Sequence, residues 1–354
     1  MAVEPGVAPI DSQSPGATPG APARGAQTRA ILTSPSLRLL GRRLLAAIPV
    51  LWGVTFLTFV IMNLLPGDAA SQILGATATP ADIRALDIKL HLNEPFWVRY
   101  GHWLGGVAHG DLGTSLRSGQ SVASTLGQRL PVTFELLLYA FVVSAALAVI
   151  VAVLAARKPN GIFDRLSMTV SMIGLSTAPY VLALVLVYIF AVRLKVFPAI
   201  GFVPLTQSVV GNIKSLTLPS ISIGLALFSV YTRLLRADII DQMQSEDYVV
   251  TAKAKGVPPR QVLLRHALRN SMFGFVTIVG LNLGALVGAV VVIEPIFSLP
   301  GIGQALLQAI SDRDLPVVEG IVLVFAVVVV LGNLLTDVMY AVLDPRIKYG
   351  RASS

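Results

Sequence analysis

Six long apolar stretches dominate this 354-residue chain and leave it few ways to fold. A helix needs about 20 predominantly apolar residues to cross a bilayer. Leu44–Leu65, Leu136–Ala156, Leu166–Val192 and Asn270–Ile293 reach that length without a charge, the third with Pro179 inside it. Ser215–Thr232 is shorter and contains Pro219. The last stretch, from about Pro316 to Leu343, carries Glu319 near its start and Asp337 near its end. The pattern predicts an all-α integral membrane protein with six transmembrane helices. Only 13% of the residues are charged, about half the share of a soluble domain. A disordered chain is excluded, and the composition argues against an ordinary soluble enzyme. The first stretch is too long for a signal-peptide core, and no small-residue cleavage site follows it.

Lys and Arg set the orientation. An even number of spans puts both termini on one side. That side holds the N-terminal tail, the 157–165 loop, the loop after span four and the C-terminus, with twice as many Lys and Arg as the other side. Both termini are therefore expected to be cytoplasmic. The net charge of +8 reads as this asymmetry rather than as a nucleic-acid surface.

The segments outside the bilayer differ in character. Residues 1–36 are rich in Pro, Gly and Ala, lack the apolar residues for a core, and are expected to be a disordered cytoplasmic tail. Residues 37–130 comprise the first span and an external segment. There Thr79-Pro80-Ala81-Asp82 reads as a helix start, with Thr79 as cap, Pro80 in the first position and Asp82 in the first turn. Phe96, Trp97, Tyr100 and Trp103 follow closely, as suits a membrane–water interface. This segment serves either as contact for an external partner or as an anchor packed on the spans. Residues 131–345 hold the other five spans, and 346–354 form a short C-terminal tail.

The cytoplasmic loop 236–270 is the most informative stretch. It predicts a helix from Asp238 to about Lys255. Gly256-Val257-Pro258-Pro259 then supplies a Gly for the C′ position and a Pro for the next helix start. Arg265 and Arg269 follow one turn apart, with Val262, Leu263 and Leu268 as apolar contacts. Such punctuation suits a docking surface for a cytoplasmic protein better than a plain connector. In span five, Gly280, Gly284 and Gly288 recur every fourth residue and leave a face on which another helix can approach closely. The approaching helix belongs either to a partner subunit or to this chain.

Chemistry is sparse. There is no Gly-x-x-x-x-Gly-Lys-Ser/Thr for ATP, no metal-spaced cluster and no cysteine. No catalytic, cofactor or metal residue is expected. His91, His102, His109 and His266 all lie outside the spans, so Gly174-Leu175-Ser176 reads as packing rather than as a nucleophile. A proton-coupled carrier needs an ionisable group at mid-depth. Here Glu135, Glu294, Glu319 and Asp337 all sit near span ends. The chain reads as a pathway whose driving energy comes from another protein. A stand-alone secondary carrier and a membrane scaffold or sensor are the competing classes.

Several motifs, in order, carry a family resemblance. They are Gly41-Arg42-Arg43 through Leu65-Pro66-Gly67-Asp68, His109-Gly110-Asp111-Leu112-Gly113-Thr114-Ser115, and Glu246-Asp247-Tyr248-Val249-Val250-Thr251-Ala252-Lys253-Ala254-Lys255-Gly256. His266-Ala267-Leu268-Arg269-Asn270 comes next, then Glu294-Pro295-Ile296-Phe297-Ser298-Leu299-Pro300-Gly301-Ile302-Gly303. Asp314-Leu315-Pro316-Val317-Val318 and Asp344-Pro345-Arg346 close the chain. Over about Leu37 to Lys348 the chain resembles the permease subunits of bacterial ABC importers, in the dipeptide/oligopeptide branch that includes nickel and glutathione importers. The family's general cytoplasmic signature is Glu-Ala-Ala, three residues, Gly, nine residues, Ile-x-Leu-Pro. This chain keeps Ala252, Gly256 and Leu268. It has Val250 and Thr251 for the Glu and first Ala, and His266 and Arg269 for the Ile and Pro, as the peptide branch does.

The resemblance implies a type I importer permease fold in the bacterial inner membrane. It implies a coupling helix in the loop, seated on a separate ATPase subunit. Glu246, Asp247, Thr251, Ala252, Ala254, Lys255, Gly256, Arg265, His266 and Arg269 are its candidate coupling residues. ATP and Mg would be used by one or two P-loop ATPase partners and by nothing in this chain. A second homologous permease and an external substrate-binding protein complete the implied partners, with short peptides as cargo.

Overall fold

The computed structural model describes residues 35–64, 70, 74, 79–89, 93–281 and 283–343. The tail before them, the Leu65-Pro66-Gly67-Asp68 motif and the Asp344-Pro345-Arg346 motif lie outside the described residues. Twelve helices are named here: α1 Pro35–Leu64, α2 Pro80–Lys89, α3 Phe96–Ala108, α4 Val122–Ala156, α5 Ile162–Ser176, α6 Pro179–Leu186, α7 Val209–Ser245, α8 Asp247–Ala254, α9 Leu268–Leu281, α10 Leu283–Ile296, α11 Ile302–Ser311 and α12 Leu315–Leu343. A π-helical segment, Val187–Arg193, continues α6, and another, Val262–Ala267, leads into α9.

Among the described residues, four helices are long and apolar enough to cross a membrane, within α1, α4, α7 and α12. The predicted third span is not straight. α5 and the α6 segment meet at 111°, and count as a fifth crossing only if the bent pair is one span. The bend follows from Pro179, which takes the first position of α6 behind an extended Ala178. The predicted fifth span falls on α9 and α10, of 14 residues each.

The interior is apolar, with Leu136, Leu216, Leu218 and Ile293 buried, but unlike in a water-soluble bundle the surface is apolar too. Large apolar side chains such as Leu45, Ile48, Leu138, Val142 and Ile150 are exposed. Ser144, Ser171, Ser222, Ser229 and Thr232 are buried. Lipid solvates the first group, and helices hold the second.

The central pair is α4 with α7. On α4, Ala140, Ser144, Ala148 and Ala152 recur every fourth residue and are all buried. Facing them, a side chain added at Gly224 would come within 3.2 Å of the Ala140 carbonyl oxygen. The small residues let the two backbones approach. Gly174 does the same for α5 against α7, where an added Cβ would lie 3.0 Å from Leu225 Cγ and run into Ser229. Its role is packing, as expected.

α7 runs for 37 residues, about 55 Å at 1.5 Å per residue. It is far longer than the predicted Ser215–Thr232 and reaches past the bilayer into the predicted loop. At that end Arg236 forms a two-pronged ion pair with Asp164, in the first turn of α5. Its Nη2 donates to Asp164 Oδ2 at 2.6 Å, and the Asn160 amide donates to the same oxygen at 2.7 Å. The α4–α5 turn and the end of α7 therefore sit together. The start of α4 lies at the opposite end, where the Val122 amide donates to the Gly113 carbonyl at 3.0 Å.

The segment between α1 and α4 packs partly on α1. Thr79 and Asp82 cap α2 reciprocally, the Asp82 amide donating to Thr79 Oγ1 at 3.3 Å and the Thr79 amide to Asp82 Oδ2 at 3.1 Å. In α3, Tyr100 is buried, its hydroxyl 3.0 Å from Thr55 Oγ1 of α1 and its ring edge-on to Phe56 and Phe59. Trp97 of the same helix remains exposed.

Candidate coupling surface

The predicted single helix from Asp238 to Lys255 is two helices. The chain breaks at Glu246, which is extended (φ −92°, ψ 128°), and α8 starts again at Asp247. The break folds α8 back on the end of α7. Lys253 Nζ donates to the Met243 carbonyl at 3.0 Å, one of the carbonyls a helix end leaves without a partner. The Tyr248 hydroxyl donates to Gln242 Oε1.

Gly256 ends α8 as its position predicts. Its φ is +74°, in the left-handed region that glycine enters without a Cβ penalty. The Gly256 amide donates to the Lys253 carbonyl at 3.0 Å, and the Val257 amide to the Ala252 carbonyl at 3.1 Å. This pair is the Schellman closure. The apolar contact that accompanies it is present: Val249, Ala252 and Val262 form a buried cluster with Val257, Met243 and Tyr248 against it. Pro259 opens the next turn, behind an extended Pro258.

The candidate residues thus divide. Ala252 is buried within the loop's own cluster. Glu246, Asp247, Thr251, Ala254, Lys255 and Gly256 are exposed on the outer side of α8, with Val250 among them. Arg265 and Arg269 are exposed on the following segment, and His266 is half-buried between them. Val262 and Leu263 are buried beneath, as expected. The result is an exposed knob that shows small residues and both signs of charge, its shape held by its own bonds and apolar cluster.

On the predicted glycine face, a Cβ at Gly288 would meet nothing within 4 Å. The surroundings of Gly280 and Gly284 lie outside the described residues.

The opposite end carries residues that sequence reasoning left as bystanders near span ends. Glu294, at the end of α10, is fully buried. Its carboxylate accepts from the Thr133 hydroxyl at 2.5 Å and from the Gln304 amide at 3.0 Å. Thr133 Oγ1 in turn accepts from the Ile302 amide at 2.9 Å. A carboxylate at a helix N-terminus meets unpaired N–H groups and the positive end of the dipole. Gly301 is required because the carboxylate occupies the space of its Cβ. At Gly303 a Cβ would sit 2.8 Å from the Val291 Cα. The Glu294–Gly303 motif is therefore a brace that docks α11 against α4 and α10.

A second brace joins two further motifs. The buried Asp314 carboxylate accepts from the Ser115 hydroxyl and from the Leu116 amide at 3.0 Å. Arg117 pairs with Asp312 beside it. The motifs themselves were visible in the sequence; which residues they bond to was not.

Comparison with known proteins agrees with this architecture. A family model described as the binding-protein-dependent transport system inner membrane component matches residues 148–349, and its N-terminal companion matches 36–137. The chain belongs to that family. It is 38% identical over 328 residues to a dipeptide transport system permease protein of Alkalihalophilus pseudofirmus, covering 87% of this chain and 98% of the relative. It is 36% identical over 311 residues to an oligopeptide transport system permease protein of Bacillus subtilis. It is 35% identical over 308 residues to a glutathione transport system permease protein of Escherichia coli. Each of these two matches covers 87% of this chain and 98% of the relative. The chain is a multi-pass protein of the bacterial plasma membrane.

Proposed function

We propose that the chain is one permease subunit of an ATP-driven peptide importer, forming half of a translocation pathway with a second, homologous permease. One or two P-loop ATPases dock on the α8 surface, and an external binding protein delivers cargo. The observation that carries the reading is the α8 knob. It is braced internally by the Schellman closure and by Lys253, and its outer residues are left for a partner. ATP and Mg act on the ATPase subunits.

The topology follows from the charges. The α8 loop and the 157–165 turn share one end of the bundle, rich in Lys and Arg, which makes that end cytoplasmic. With α9 and α10 as one crossing and the bent α5–α6 pair as another, the chain has six spans and both termini inside. Gly288 meets open space within this chain, so the face of Gly280, Gly284 and Gly288 is left for a helix of the second permease. Peptide cargo is supported by the dipeptide and oligopeptide relatives. The glutathione relative supports a second reading, a γ-linked tripeptide as cargo.

The test is gentle detergent purification of the tagged chain from its native host, with mass spectrometry of its companions. Recovery of a second permease and P-loop ATPases is expected. Recovery of the chain alone, from a preparation that keeps other membrane complexes whole, overturns the reading.

A further inference from the structure

At the end of the bundle that carries α8, the last turns of α7 and the first turns of α9 flank an open cleft of about 420 Å³. α7 contributes Asp238 and Asp241, and α9 contributes Ser271, Gly274 and Phe275. Small residues make the opening. A Cβ added at Gly274 would meet nothing within 4 Å, and Ala237 lines the α7 side.

Three polar groups in the cleft have bonding capacity to spare. Ser271 is fully buried, and its Oγ has no hydrogen-bond partner among the described residues. Buried serines of α7 are satisfied: the Ser222 and Ser229 hydroxyls donate to carbonyls one turn back, at 2.8 and 2.7 Å. A buried hydroxyl left open calls for an explanation, and a ligand supplies one. Asp238 makes no hydrogen bond or ion pair among the described residues. Asp241 accepts from the Ser245 hydroxyl at 3.1 Å through Oδ1. Among the described residues, no Lys or Arg lines the cleft, although this end of the bundle is rich in both.

The contact of Tyr231 with α9 sets the register. Its ring is edge-on to Phe275 at 5.6 Å, and its hydroxyl donates to the Val279 carbonyl at 3.4 Å. Ser271, one turn before Phe275, therefore lies toward the acids, and Ile278 lies toward the membrane. Asp238 follows the end of the apolar run at Thr232 by six residues, about 9 Å along the helix. The cleft is thus anionic at its watery mouth and apolar farther in. A divalent cation takes about six to eight oxygen ligands, more than two acids and a hydroxyl beside Phe275 and Ile278 supply. Anionic lipid of the inner leaflet is repelled by both acids. A primary ammonium carries three N–H donors, and on an apolar body it matches both parts of the cleft.

We propose that this cleft receives the free amino terminus of the peptide cargo as it leaves the pathway. The ammonium meets Asp238, Asp241 and Ser271, and the first side chain lies against Phe275 and Ile278. The proposal rests on the importer reading and adds a cargo subsite to it.

The test uses the assembled complex in nanodiscs and the dipeptide leucyl-alanine with a diazirine in its leucine side chain. Irradiation followed by mass spectrometry maps the labelled residues. Labelling is expected on segments 234–241 and 271–278. N-acetylation of the dipeptide should lower it about tenfold or more, the worth of a charge-assisted bond. Asp238→Asn should lower it by about as much. Gly274→Leu, which places a side chain in the opening, should block it while the acids remain. Recovery of the ATPase partners reads assembly of each variant. Should Asp238→Asn fail that check, Gly274→Leu and the acetylated dipeptide carry the test. Labelling that maps elsewhere, or that ignores acetylation and the substitutions, overturns the proposal. ATP-driven uptake of the same dipeptide by proteoliposomes, with the external binding protein present, separates the two readings. Uptake without amine-dependent labelling is failure of the cleft alone, and absence of uptake in the wild type is failure of the importer reading.

Discussion

The two ends of the bundle use charge in opposite ways. At the α8 end, Glu246, Asp247, Lys255, Arg265 and Arg269 stand in solvent, and the shape below them is held by backbone closure and a small apolar cluster. At the far end, Glu294 and Asp314 are buried, and each ties loops together through bonds to amides and hydroxyls. Equally conspicuous motifs thus do different work. Acids beside helix N-termini and glycines hold the structure, whereas the charges of α8 are presented outward. Removing the first kind should damage the fold, and removing the second should damage function while the fold survives.

The largest effect is expected at Glu294. Glu294→Ala leaves the Thr133 hydroxyl and the α11 amides without their acceptor in a buried site, at a cost of about 3 kcal/mol or more. The variant should show a lowered unfolding temperature in detergent and α11 newly open to protease. An unchanged melting curve would break the contrast between the two ends. Next is Gly256→Asp. It forces a side chain into left-handed backbone, worth about 1–2 kcal/mol, and adds an acid to the knob. Membrane insertion should persist and ATP-coupled uptake should vanish.

Asp164→Asn should cost a similar or smaller amount, because Arg236 keeps a polar partner but that partner no longer carries a negative charge. The comparison with Asp164→Ala, which strands a half-buried guanidinium, should show the larger loss in the alanine variant. Lys255→Glu should leave the melting temperature within the scatter of a surface change and weaken recovery of the ATPase subunits. The smallest effect concerns the α2 cap. Bonds from the Thr79 hydroxyl and amide hold the Asp82 carboxyl below the ordinary carboxylate range. Because the folded value is the lower one, the cap's contribution is present above the ordinary range. It is lost as pH falls through the depressed value. Amide exchange in α2 should therefore quicken in strong acid, and Asp82→Asn should remove that dependence.

What the sequence disclosed was local. Long apolar runs revealed α1, α4, α7 and α12, because length and apolarity alone make a span. Thr79 and Gly256 were legible because caps and closures depend on neighbouring residues. The break at Glu246 was not, since no Gly or Pro marks it. It is held by Lys253 and Tyr248 reaching back to α7. Nor was the seam of α4 with α7: the regular glycines of span five drew attention, while Ala140, Ser144, Ala148 and Ala152 looked like ordinary helix formers. The pairs Asp164–Arg236 and Thr133–Glu294 join residues 72 and 161 positions apart, and only the assembled bundle brings them together.

The central claim is that energy enters through α8 from a separate ATPase. Its most direct test is uptake of a labelled peptide by proteoliposomes holding the purified complex and the external binding protein. Uptake should require ATP, require the ATPase subunits and ignore an imposed ion gradient. Uptake driven by the gradient, with the ATPases absent, would contradict it.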